Sequence, residues 1–579
     1  MKKYSLRPPV PKEVSDELFP YSSLLRRLLF HRGISKKEEA EVFLSPNYES
    51  GIHDPFLLKD AEKAADKFIE AVKRNDRIAV FSDYDADGIP AAVVFHDFFG
   101  RIGFSNFEIY IPHRHDEGFG LNGEAVEELG SRGAKLLITV DCGIGDIEEV
   151  TKAKECGMET IIIDHHLPRP SRIAGLGPKQ ALPAAYAILN PKQEDCSYPE
   201  KMLCGSGVAF KFIQAILKKE SFGLKEGIEK WLLDMVGIAT LSDMVPLTGE
   251  NRTLAHFGLK VLRRSPRLGL MKLLRKLNVE QSTLSEDDVG FTLSPRINAA
   301  SRMGVPRDAF SLFTTTSFDE ADRLADHLNK INDERKGTVA AMVKEIKGIV
   351  SERYAEKEAG VIVLGNPKWK PALLGLAANT LMNERLCPVF LWGRDGGEIL
   401  RGSCRSPGDI SLVEIMGAVP SGTFIEYGGH AKSGGFSLVT DKVHLLGSEL
   451  ERAYEAVRTK ERKEEPEGID DALSLEEVNH DTYSEIEKLS PFGFGNPKPL
   501  FLFEKIPVSS ARLFGKEKGH VEFMFKKQNG APVKAISFFA AGSDLAKIKE
   551  GNVISFVAHL EKSFWRGFGE LRLRIVDLL

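Results

Sequence analysis

RIAVFSDYDADGI, residues 77–89, is the stretch of the sequence that decides the fold. Its apolar first half predicts a buried strand, and Asp83, Asp85 and Asp87 stand where that strand must turn into a helix. In open parallel sheets, ligands bind beside the carboxyl ends of the strands. Neighbouring carboxylates repel one another unless a positive charge lies between them, so the stretch favours a divalent cation site. The alternative is a polar turn in which Asp83 or Asp87 only caps the next helix.

Two later apolar runs end in the same way. KLLITV (135–140) is followed by Asp141, and ETIII (159–163) is followed by DHH (164–166). Strand and helix patterns alternate through about residue 190, which predicts a parallel sheet flanked by helices. The carboxyl ends of neighbouring parallel strands meet at one edge, so we expect these side chains to share one crevice and to form a metal site. Asp243 follows a predicted helix, where the alternative is a carboxylate that caps a turn before proline.

Length and composition indicate a large globular protein. The chain has 579 residues, 42% hydrophobic residues and a net charge of −5. At roughly 150 residues per domain it holds about four compact units. The negative charge gives no overall attraction to nucleic acid, so a polyanion would have to be held by local basic patches or by metal ions.

The cysteines and the hydrophobic pattern indicate a location. Six scattered cysteines without paired spacing are typical of reduced thiols, and we expect a cytoplasmic protein. The sequence shows no signal-peptide pattern and no apolar run of roughly 18 residues, so we expect no membrane span.

The second half of the chain changes pattern three times. Residues from 310 to about 350 have a strong helical pattern, and 361–392 read as strand, helix and strand. A charge run at 458–468 predicts a hydrated linker. Apolar residues then alternate in segments between 521 and 575, which predicts a sheet with one buried face and is consistent with a small barrel.

Four motifs now suggest a family. DYDADG (83–88), TVDCGI (139–144), DHH (164–166) and SDMVPL (242–247) resemble the phosphoesterase motifs of the DHH superfamily. PHRHDEGFGLN (112–122) is similar to the RecJ branch, the single-strand-specific 5′ to 3′ DNA exonucleases. Further segments with this resemblance are LSPRINAASRMG (293–304), YGGHAKSGGFSL (427–438) and LSPFGFGNPKPLF (489–501).

The resemblance covers nearly the whole chain and implies an α/β fold in several parts. We expect a parallel-sheet DHH phosphoesterase domain, joined by a long helix to a smaller α/β DHH-associated domain and followed by an OB-type β-barrel. The regions it implies are a helical lead-in (1–50), the DHH catalytic domain (51–308), a connecting helix (309–350), the DHH-associated substrate-binding domain (351–458), a charged linker (459–475) and the OB-fold nucleic-acid-binding domain (476–579).

The resemblance also implies a metal site. It makes one or two Mn²⁺ or Mg²⁺ ions the cofactor, held by Asp83, Asp85, Asp141, His165 and Asp243. Oxygen ligands with one imidazole suit Mn²⁺ on chemical grounds as well. His166 would contact the scissile phosphate or protonate the leaving oxygen, and Asp164 would orient an imidazole. Asp87 is interpreted as a helix cap or as a group that supports the ligands.

Substrate contacts are predicted in the second domain and near residue 300. Gly428 and Gly429 are interpreted as a turn that opens a helix and offers backbone N–H groups to a phosphate, with Arg405 and His430 adding positive charge. The alternative is a tight turn in which the glycines serve geometry only. Arg296 and Arg302 are further candidates for holding the strand.

The final barrel offers candidates of a different kind. Trp565 stands at a turn and Arg574 on a strand, and aromatic rings with arginines can stack bases and neutralise phosphates at roughly 1 to 3 kcal/mol per stacked base. The alternative is a barrel that only supports the catalytic cleft.

The function implied is a metal-dependent exonuclease that degrades single-stranded DNA from its 5′ end to mononucleotides, in DNA repair and recombination. We expect a monomer whose partners are single-stranded DNA, a single-strand-binding protein and a helicase. One alternative is a phosphodiesterase of short RNA or cyclic dinucleotides. Ala79 weakens that alternative, because the related branch has a histidine ligand there. A non-catalytic scaffold is a third alternative.

Overall fold

The computed structural model describes residues 4–170, 180–354, 360–394, 396–408, 410–458, 466–515, 518–563 and 569–579. The chain begins with one short strand and four short helices. They are β1 (Tyr4–Leu6), α1 (Lys12–Glu17), α2 (Ser23–Phe30), α3 (Lys37–Leu44) and α4 (Tyr48–Gly51).

A five-stranded parallel sheet follows, as the sequence predicts. Its region contains the strands β2 (Arg77–Ser82), β3 (Phe107–Tyr110), β4 (Ala134–Val140), β5 (Glu159–Ile163), β6 (Arg169–Pro170), β7 (Gln180–Ala181) and β8 (Ala187–Leu189). The strand order is β3-β2-β4-β5-β8, with β6 and β7 paired separately. In this order β2, β4 and β5 are direct neighbours, so their carboxyl ends lie side by side.

Helices cover both faces of this sheet and extend the region beyond it. They are α5 (Ala61–Arg74), α6 (Gly88–Ile102), α7 (Gly123–Ser131), α8 (Ile147–Glu155), α9 (Gly205–Lys219), α10 (Leu233–Ser242), α11 (Gly249–Leu262), α12 (Leu268–Lys276), α13 (Glu286–Asp288), α14 (Ser294–Met303) and α15 (Pro306–Thr314). Buried aromatic rings of α5, α6 and α9 pack together; for example, the ring centroids of Phe68 and Phe212 are 5.9 Å apart. This apolar layer holds α6 and α9 against the sheet and so places their amino termini at its carboxyl edge.

The connecting helix starts later than the sequence predicts. A single helix from residue 309 is wrong, because α15 ends at Thr314 and α16 (Phe318–Arg353) begins separately. Ser317 explains the break, since its side chain accepts a hydrogen bond from the backbone N–H of Glu320 and caps the new helix. At 36 residues, α16 spans roughly 54 Å and reaches from the first sheet to the second.

The second sheet is mixed. It is built from β9 (Ile362–Gly365), α17 (Pro371–Arg385), β10 (Val389–Arg394), β11 (Ile399–Arg405), α18 (Leu412–Ala418), β12 (Glu426–Gly429), β13 (Ser433–Val439) and α19 (Val443–Val457). The strand order is β12-β13-β11-β10-β9, in which β9 and β10 are parallel and the other pairs antiparallel.

One prediction about this sheet is wrong. Gly428 and Gly429 do not open a helix; they end β12 and pair with Gly435 and Gly434 of β13. The physical reason is that glycines face glycines across the two strands, so the backbones pair closely and form a hairpin.

The C-terminal region forms a seven-stranded sheet. The elements of this region are β14 (Glu467–Ile469), β15 (Asp471–Ala472), α20 (His480–Glu487), β16 (Phe501–Pro507), β17 (Ser510–Phe514), β18 (His520–Lys526), β19 (Pro532–Ser537), β20 (Val553–Ser563) and β21 (Glu570–Leu578). All of these strands except β14 belong to the sheet. The strand order is β15-β16-β20-β21-β19-β18-β17. The alternation predicted from Val521, Phe523 and Phe525 is confirmed, since all three side chains are buried in its core.

The amino-terminal helices belong to this same core. Leu25, Leu28 and Leu29 of α2 are buried together with Phe501 and Phe503 of β16. β1 also pairs with β14 in parallel, so the first and last parts of the chain form one packed unit. Among the described residues, no helix has both the length and the apolar surface to cross a membrane.

Candidate metal centre

Three acidic residues extend the three neighbouring strands at the same edge. Asp83, Asp141 and Asp164 follow β2, β4 and β5, and each backbone N–H still donates to the adjacent strand, at 3.1, 2.9 and 3.0 Å respectively. This common register places the three side chains side by side. The sheet therefore brings together residues that lie far apart in the sequence.

His165 lies between the carboxylates. Its Nε2 atom is 3.2 Å from Asp141 Oδ1 and 3.8 Å from Asp87 Oδ2, and its Nδ1 atom is 3.7 Å from Asp243 Oδ2. Asp243 reaches this position from the carboxyl end of α10. Both ring nitrogens of one buried imidazole thus face oxygen atoms of metal-ligand type.

Three overlapping groups have metal-binding spacing. In each group, one ligand atom per residue lies within 4.8 Å of the others; the groups are Asp83, Asp85 and Asp141; Asp141, His165 and His166; and Asp87, His165 and Asp243. All five predicted ligands occur in these groups. Asp141 and His165 each belong to two of the groups.

The electrostatics of the centre are unfavourable without a cation. Burial raises the pKa of the Asp83 and Asp141 carboxyls well above their usual range, and neighbouring aspartates raise both further. Burial, with the charges of Asp87 and Asp85, also raises the pKa of Asp243 to about 8. Among the described residues, the buried atoms Asp83 Oδ1 and Asp141 Oδ1 have no hydrogen-bond partner. Buried oxygens that lack donors and repel each other fit a divalent cation.

The two histidines of the DHH sequence have opposite electrostatic environments. Burial lowers the pKa of His165 to about 3, so this imidazole is neutral and able to bind a metal. His166 is 2.8 Å from Asp164 through Nδ1 and Oδ1. Burial lowers the pKa of His166, but the hydrogen bond and the charge of Asp164 raise it to about 9. His166 is therefore a cation at neutral pH.

Asp164 orients His166 and is itself fixed by the backbone. Its carboxylate accepts hydrogen bonds from the N–H groups of His165, His166 and Ile144. Burial raises its pKa, but these donors and His166 together lower it to about 2. A carboxylate held in this way stays ionised and fixes the Nδ1 edge of the His166 ring, whose side chain is about one third exposed.

Asp87 does not cap its own helix. Its side chain makes no capping hydrogen bond to α6, and instead accepts from the N–H groups of Gly205 and Ser206, at 2.6 and 2.7 Å, at the start of α9. A β-carbon on Gly205 would lie 2.6 Å from Asp141 Oδ1, so only glycine fits here. Sequence reasoning could not find this contact, because the two partners are 118 positions apart.

An arginine cluster lies next to the acidic centre. We use this name for Arg114, Arg302, Arg335 and Arg405. Burial, together with the charges of the other three arginines, lowers the pKa of Arg302 to about 9. The charge of Arg114 also lowers the pKa of Asp83, which places the cluster beside the metal ligands. The sequence predicted Arg302 and Arg405 but missed Arg114 and Arg335.

One of these arginines connects the first and second domains, and another belongs to the second domain. The Nη1 atom of Arg302, on α14, donates to the carbonyl of Ala372 on α17 at 2.7 Å. Arg405 donates to its neighbours Ser403 and Cys404 at the end of β11. The cluster therefore lies where the two domains meet.

His430 lies in the turn of the β12–β13 hairpin of the second domain. Burial lowers its pKa, and the charges of Lys192 and His166 lower it further, so the β12–β13 hairpin lies near the catalytic edge. Lys192, which the sequence reading missed, follows β8 and also acts electrostatically on Asp243.

Other predicted substrate contacts lie elsewhere or are already paired. Arg296 is buried, and its guanidinium donates to Asn329 and to the carbonyl of Thr292. Arg574 Nε is 2.9 Å from Glu561 Oε1 on the neighbouring strand. Trp565 lies outside the described residues.

Carboxylates and histidines at the carboxyl ends of a parallel sheet, beside a cluster of arginines, define a phosphoesterase of the DHH type. The family model of the DHH N-terminal domain matches residues 77–240, and the model of the RecJ OB domain matches residues 469–577. The chain belongs to the RecJ family.

Relatives and solved structures agree with this assignment. The chain is 32% identical over 571 residues to the single-stranded-DNA-specific exonuclease RecJ of Bacillus subtilis, covering 98% of this chain and 69% of that protein. It is 30% identical to the RecJ of Haemophilus influenzae, covering 93% and 92%. A crystal structure of RecJ with Mn²⁺ from Thermus thermophilus superposes with a TM-score of 0.79 at 27% identity, covering 100% of this chain and 79% of that one. A second structure of that protein, with Mg²⁺, has a TM-score of 0.74 at 25% identity, covering 100% and 78%.

Proposed function

We propose that this protein is a metal-dependent exonuclease that hydrolyses single-stranded DNA from the 5′ end and releases mononucleotides. The observation that carries the proposal is the convergence of four aspartates and His165 at one sheet edge, beside the arginine cluster, in a member of the RecJ family. DNA repair and recombination are the processes in which we propose that it acts.

The metal ligands in this proposal are Asp83, Asp85, Asp141, His165 and Asp243. The buried oxygens without donors and the raised carboxyl pKa values support a bound cation. When bound, one or two Mn²⁺ or Mg²⁺ ions would lower the pKa of a water molecule and neutralise the phosphoryl oxygens. Asp87 supports the centre because its carboxylate accepts hydrogen bonds from the first backbone N–H groups of α9.

His166 acts on the leaving group. In the reaction, water loses a proton to the solvent and adds to phosphorus, and the bond from phosphorus to the oxygen of the departing nucleotide breaks, so that oxygen needs a proton. His166 is cationic and about one third of its side chain is exposed, so it can contact the scissile phosphate and supply that proton. Asp164 keeps the ring in position and stabilises its positive charge.

The arginine cluster explains why cleavage would start at a 5′ end. A terminal phosphate carries up to two negative charges, and guanidinium groups bind such anions through paired hydrogen bonds. Arg302 and Arg405 belong to different domains, so a phosphate held between them lies in the crevice where the domains meet. A crevice of this kind admits one strand and excludes a duplex by its shape.

Contacts further along the bound DNA strand would depend only weakly on its base sequence. His430 and the Gly428–Gly429 pair are proposed to line the second domain's side of the crevice, and the C-terminal OB domain with Trp565 and Arg574 remains a candidate for contacts with the DNA strand. Arg296 is no longer a candidate, because its guanidinium is buried and bonded to Asn329. Contacts to phosphates and stacked bases carry little sequence information.

The cellular setting forms part of the proposal. The six cysteines are free thiols, which is consistent with a reducing compartment such as the cytoplasm. An enzyme that accepts only single strands depends on strand separation, so we expect a helicase and a single-strand-binding protein as partners, with the nuclease acting as a monomer.

One assay tests the proposal against its alternatives. The purified protein with Mn²⁺ is offered 5′-labelled single-stranded DNA, duplex DNA, short RNA and a cyclic dinucleotide. We expect labelled mononucleotide as the first product from the single strand alone, with Asp141→Asn as the inactive control. Faster hydrolysis of short RNA or the cyclic dinucleotide would establish the alternative phosphodiesterase function.

Polarity needs a separate comparison. Streptavidin bound to a 5′-biotin should protect the strand, whereas streptavidin at the 3′ end should leave the initial rate unchanged. Protection by the 3′ block alone would overturn the 5′ to 3′ direction.

A further inference from the structure

A segment of the C-terminal region lies directly against the segment that carries Asp243. The backbone N–H of Leu247 donates to the carbonyl oxygen of Phe494 at 2.7 Å. A β-carbon on Gly495 would lie 3.1 Å from the Cβ atom of Pro246, so the two backbones are in contact. We call residues 489–498 the 489–498 segment.

The 489–498 segment is attached to the first domain at two further points. Arg252, a buried residue of α11, donates to the carbonyls of Leu489 and Ser490, both at 2.9 Å. Lys498 forms an ion pair with Asp287 and lies 3.6 Å from Glu561 of the C-terminal sheet. The segment therefore joins the catalytic domain to the sheet that follows it.

Its shape is fixed from inside by Asn496. This side chain is fully buried, and its Nδ2 atom donates to the carbonyls of Leu489 and Pro491, both at 2.8 Å. Its Oδ1 atom accepts from Arg32 Nε of the amino-terminal region at 2.7 Å. Satisfied buried amides of this type make a loop rigid.

The Asp243 segment needs such external support. Asp243 caps the end of α10, and Met244, the next residue, has a φ of 56°, which a side chain-bearing residue adopts only when its surroundings hold it there. Leu247 is the first residue beyond Met244 whose backbone is bonded to another region. The contact with Phe494 therefore fixes the downstream end of the strained turn.

We propose that the 489–498 segment is a positioning element for Asp243, so that the C-terminal region completes the geometry of the metal centre. The inference rests on the function proposed above, in which Asp243 is a metal ligand. Asp243 is the predicted ligand that comes from a helix end outside the sheet, and the strand register that places the other aspartates does not place it.

Two glycine substitutions separate this role from general destabilisation. Gly495 has a φ of +75° and faces Pro246. Gly530, in the β18–β19 turn, has a φ of +83°, and a β-carbon added there would meet no atom within 4 Å. Gly495→Ala and Gly530→Ala thus impose similar backbone strain in the same region. Only Gly495→Ala places a methyl group in close contact with Pro246, in the segment that follows Asp243.

The full-length wild type and both variants are titrated with Mn²⁺ in a calorimeter, and kcat and KM are measured on single-stranded DNA. For Gly495→Ala we expect Mn²⁺ affinity and kcat each to fall roughly tenfold, as for other residues that orient metal ligands, with KM for DNA nearly unchanged. Gly530→Ala should match the wild type. Hydrogen exchange without metal should show faster exchange of the Leu247 N–H in Gly495→Ala alone.

Each result decides the matter. Equal Mn²⁺ affinity and kcat in the two variants would overturn the positioning role, as would an unchanged exchange rate at Leu247. If the wild type binds no Mn²⁺, the proposed function fails and the inference fails with it. Binding by the wild type with no difference between the variants overturns the inference alone.

Discussion

The catalytic edge of the first sheet and the C-terminal sheet treat their charged residues in opposite ways. At the catalytic edge, Asp83 and Asp141 are buried with oxygens that lack donors, and burial and mutual repulsion raise the pKa of both. In the C-terminal sheet, Glu561 lies 2.9 Å from Arg574 and 3.7 Å from Arg572, and Lys534 lies 2.7 Å from Glu570.

The difference separates a site that needs a ligand from a surface that does not. Like charges that are buried together destabilise the folded protein, and a bound cation removes that destabilisation. Charges that are already paired across strands gain less from a new partner. We therefore expect large effects of mutation at the catalytic edge and small ones on the sheet.

The largest effect should follow Asp141→Asn. Because Asp141 belongs to two of the three ligand groups, we expect kcat on single-stranded DNA to fall roughly 1,000-fold, the equivalent of about 4 kcal/mol. Without metal, the same variant should be at least as stable to heat as the wild type, since it removes one of several repelling charges. Thermal unfolding in the presence of a chelator measures this. A metal-free variant much less stable than the wild type would mean that repulsion does not dominate the centre.

The second effect is stabilisation by metal. Mn²⁺ at 100 times its dissociation constant should raise the free energy of unfolding by about 2.7 kcal/mol, because it binds the folded state alone. Thermal unfolding with and without Mn²⁺ measures the shift, and Asp141→Asn should lose most of it. An equal shift in both proteins would place the bound ion elsewhere.

The third effect concerns the 5′ end. Arg302→Gln should raise KM for a 5′-phosphorylated strand roughly tenfold, since a hydrogen bond to a charged group contributes about 1.5 to 3 kcal/mol. A strand with a 5′-hydroxyl should be affected less. Arg296→Gln is the matched control, because Arg296 is buried and bonded to Asn329. Equal effects of Arg302→Gln on both strands would remove the terminal phosphate from the proposal.

The smallest effect should come from the C-terminal sheet. Glu561→Gln removes the carboxylate that pairs with Arg572 and Arg574, so affinity for single-stranded DNA should rise about threefold and become more dependent on salt. Arg574→Ala should lower affinity by a similar factor. Equilibrium binding at several salt concentrations tests both, and unchanged affinity in both variants would favour a sheet that only supports the catalytic cleft.

The sequence predicts well those features that depend on neighbours along the chain. Apolar runs that end in aspartate predicted the parallel sheet and the place of Asp83, Asp141 and Asp164, because a strand's end and its next residue are local. The α/β class and a divalent cation site could also be inferred in this way, whereas the family and the choice of Mn²⁺ or Mg²⁺ were implied by the resemblance of the motifs to the DHH superfamily.

The remaining features depend on residues that are distant in sequence. Asp87 accepts from Gly205 only because α9 packs beside α6, and Arg335 joins the arginine cluster only because α16 packs against α14, which carries Arg302. The pairing of Arg574 with Glu561 follows from the register of β20 and β21. The Gly428–Gly429 hairpin was read as a helix start because glycine is compatible with both, and only its partner strand decides.

The shared core of the first and last parts of the chain has a consequence for synthesis. Leu25, Leu28 and Leu29 emerge from the ribosome hundreds of residues before Phe501 and Phe503, which belong to the same buried core. Contacts this far apart are slow to form, so the apolar face of α2 lacks these neighbours until β16 has been synthesised. During that interval the nascent polypeptide exposes the apolar face of α2, a surface that favours aggregation.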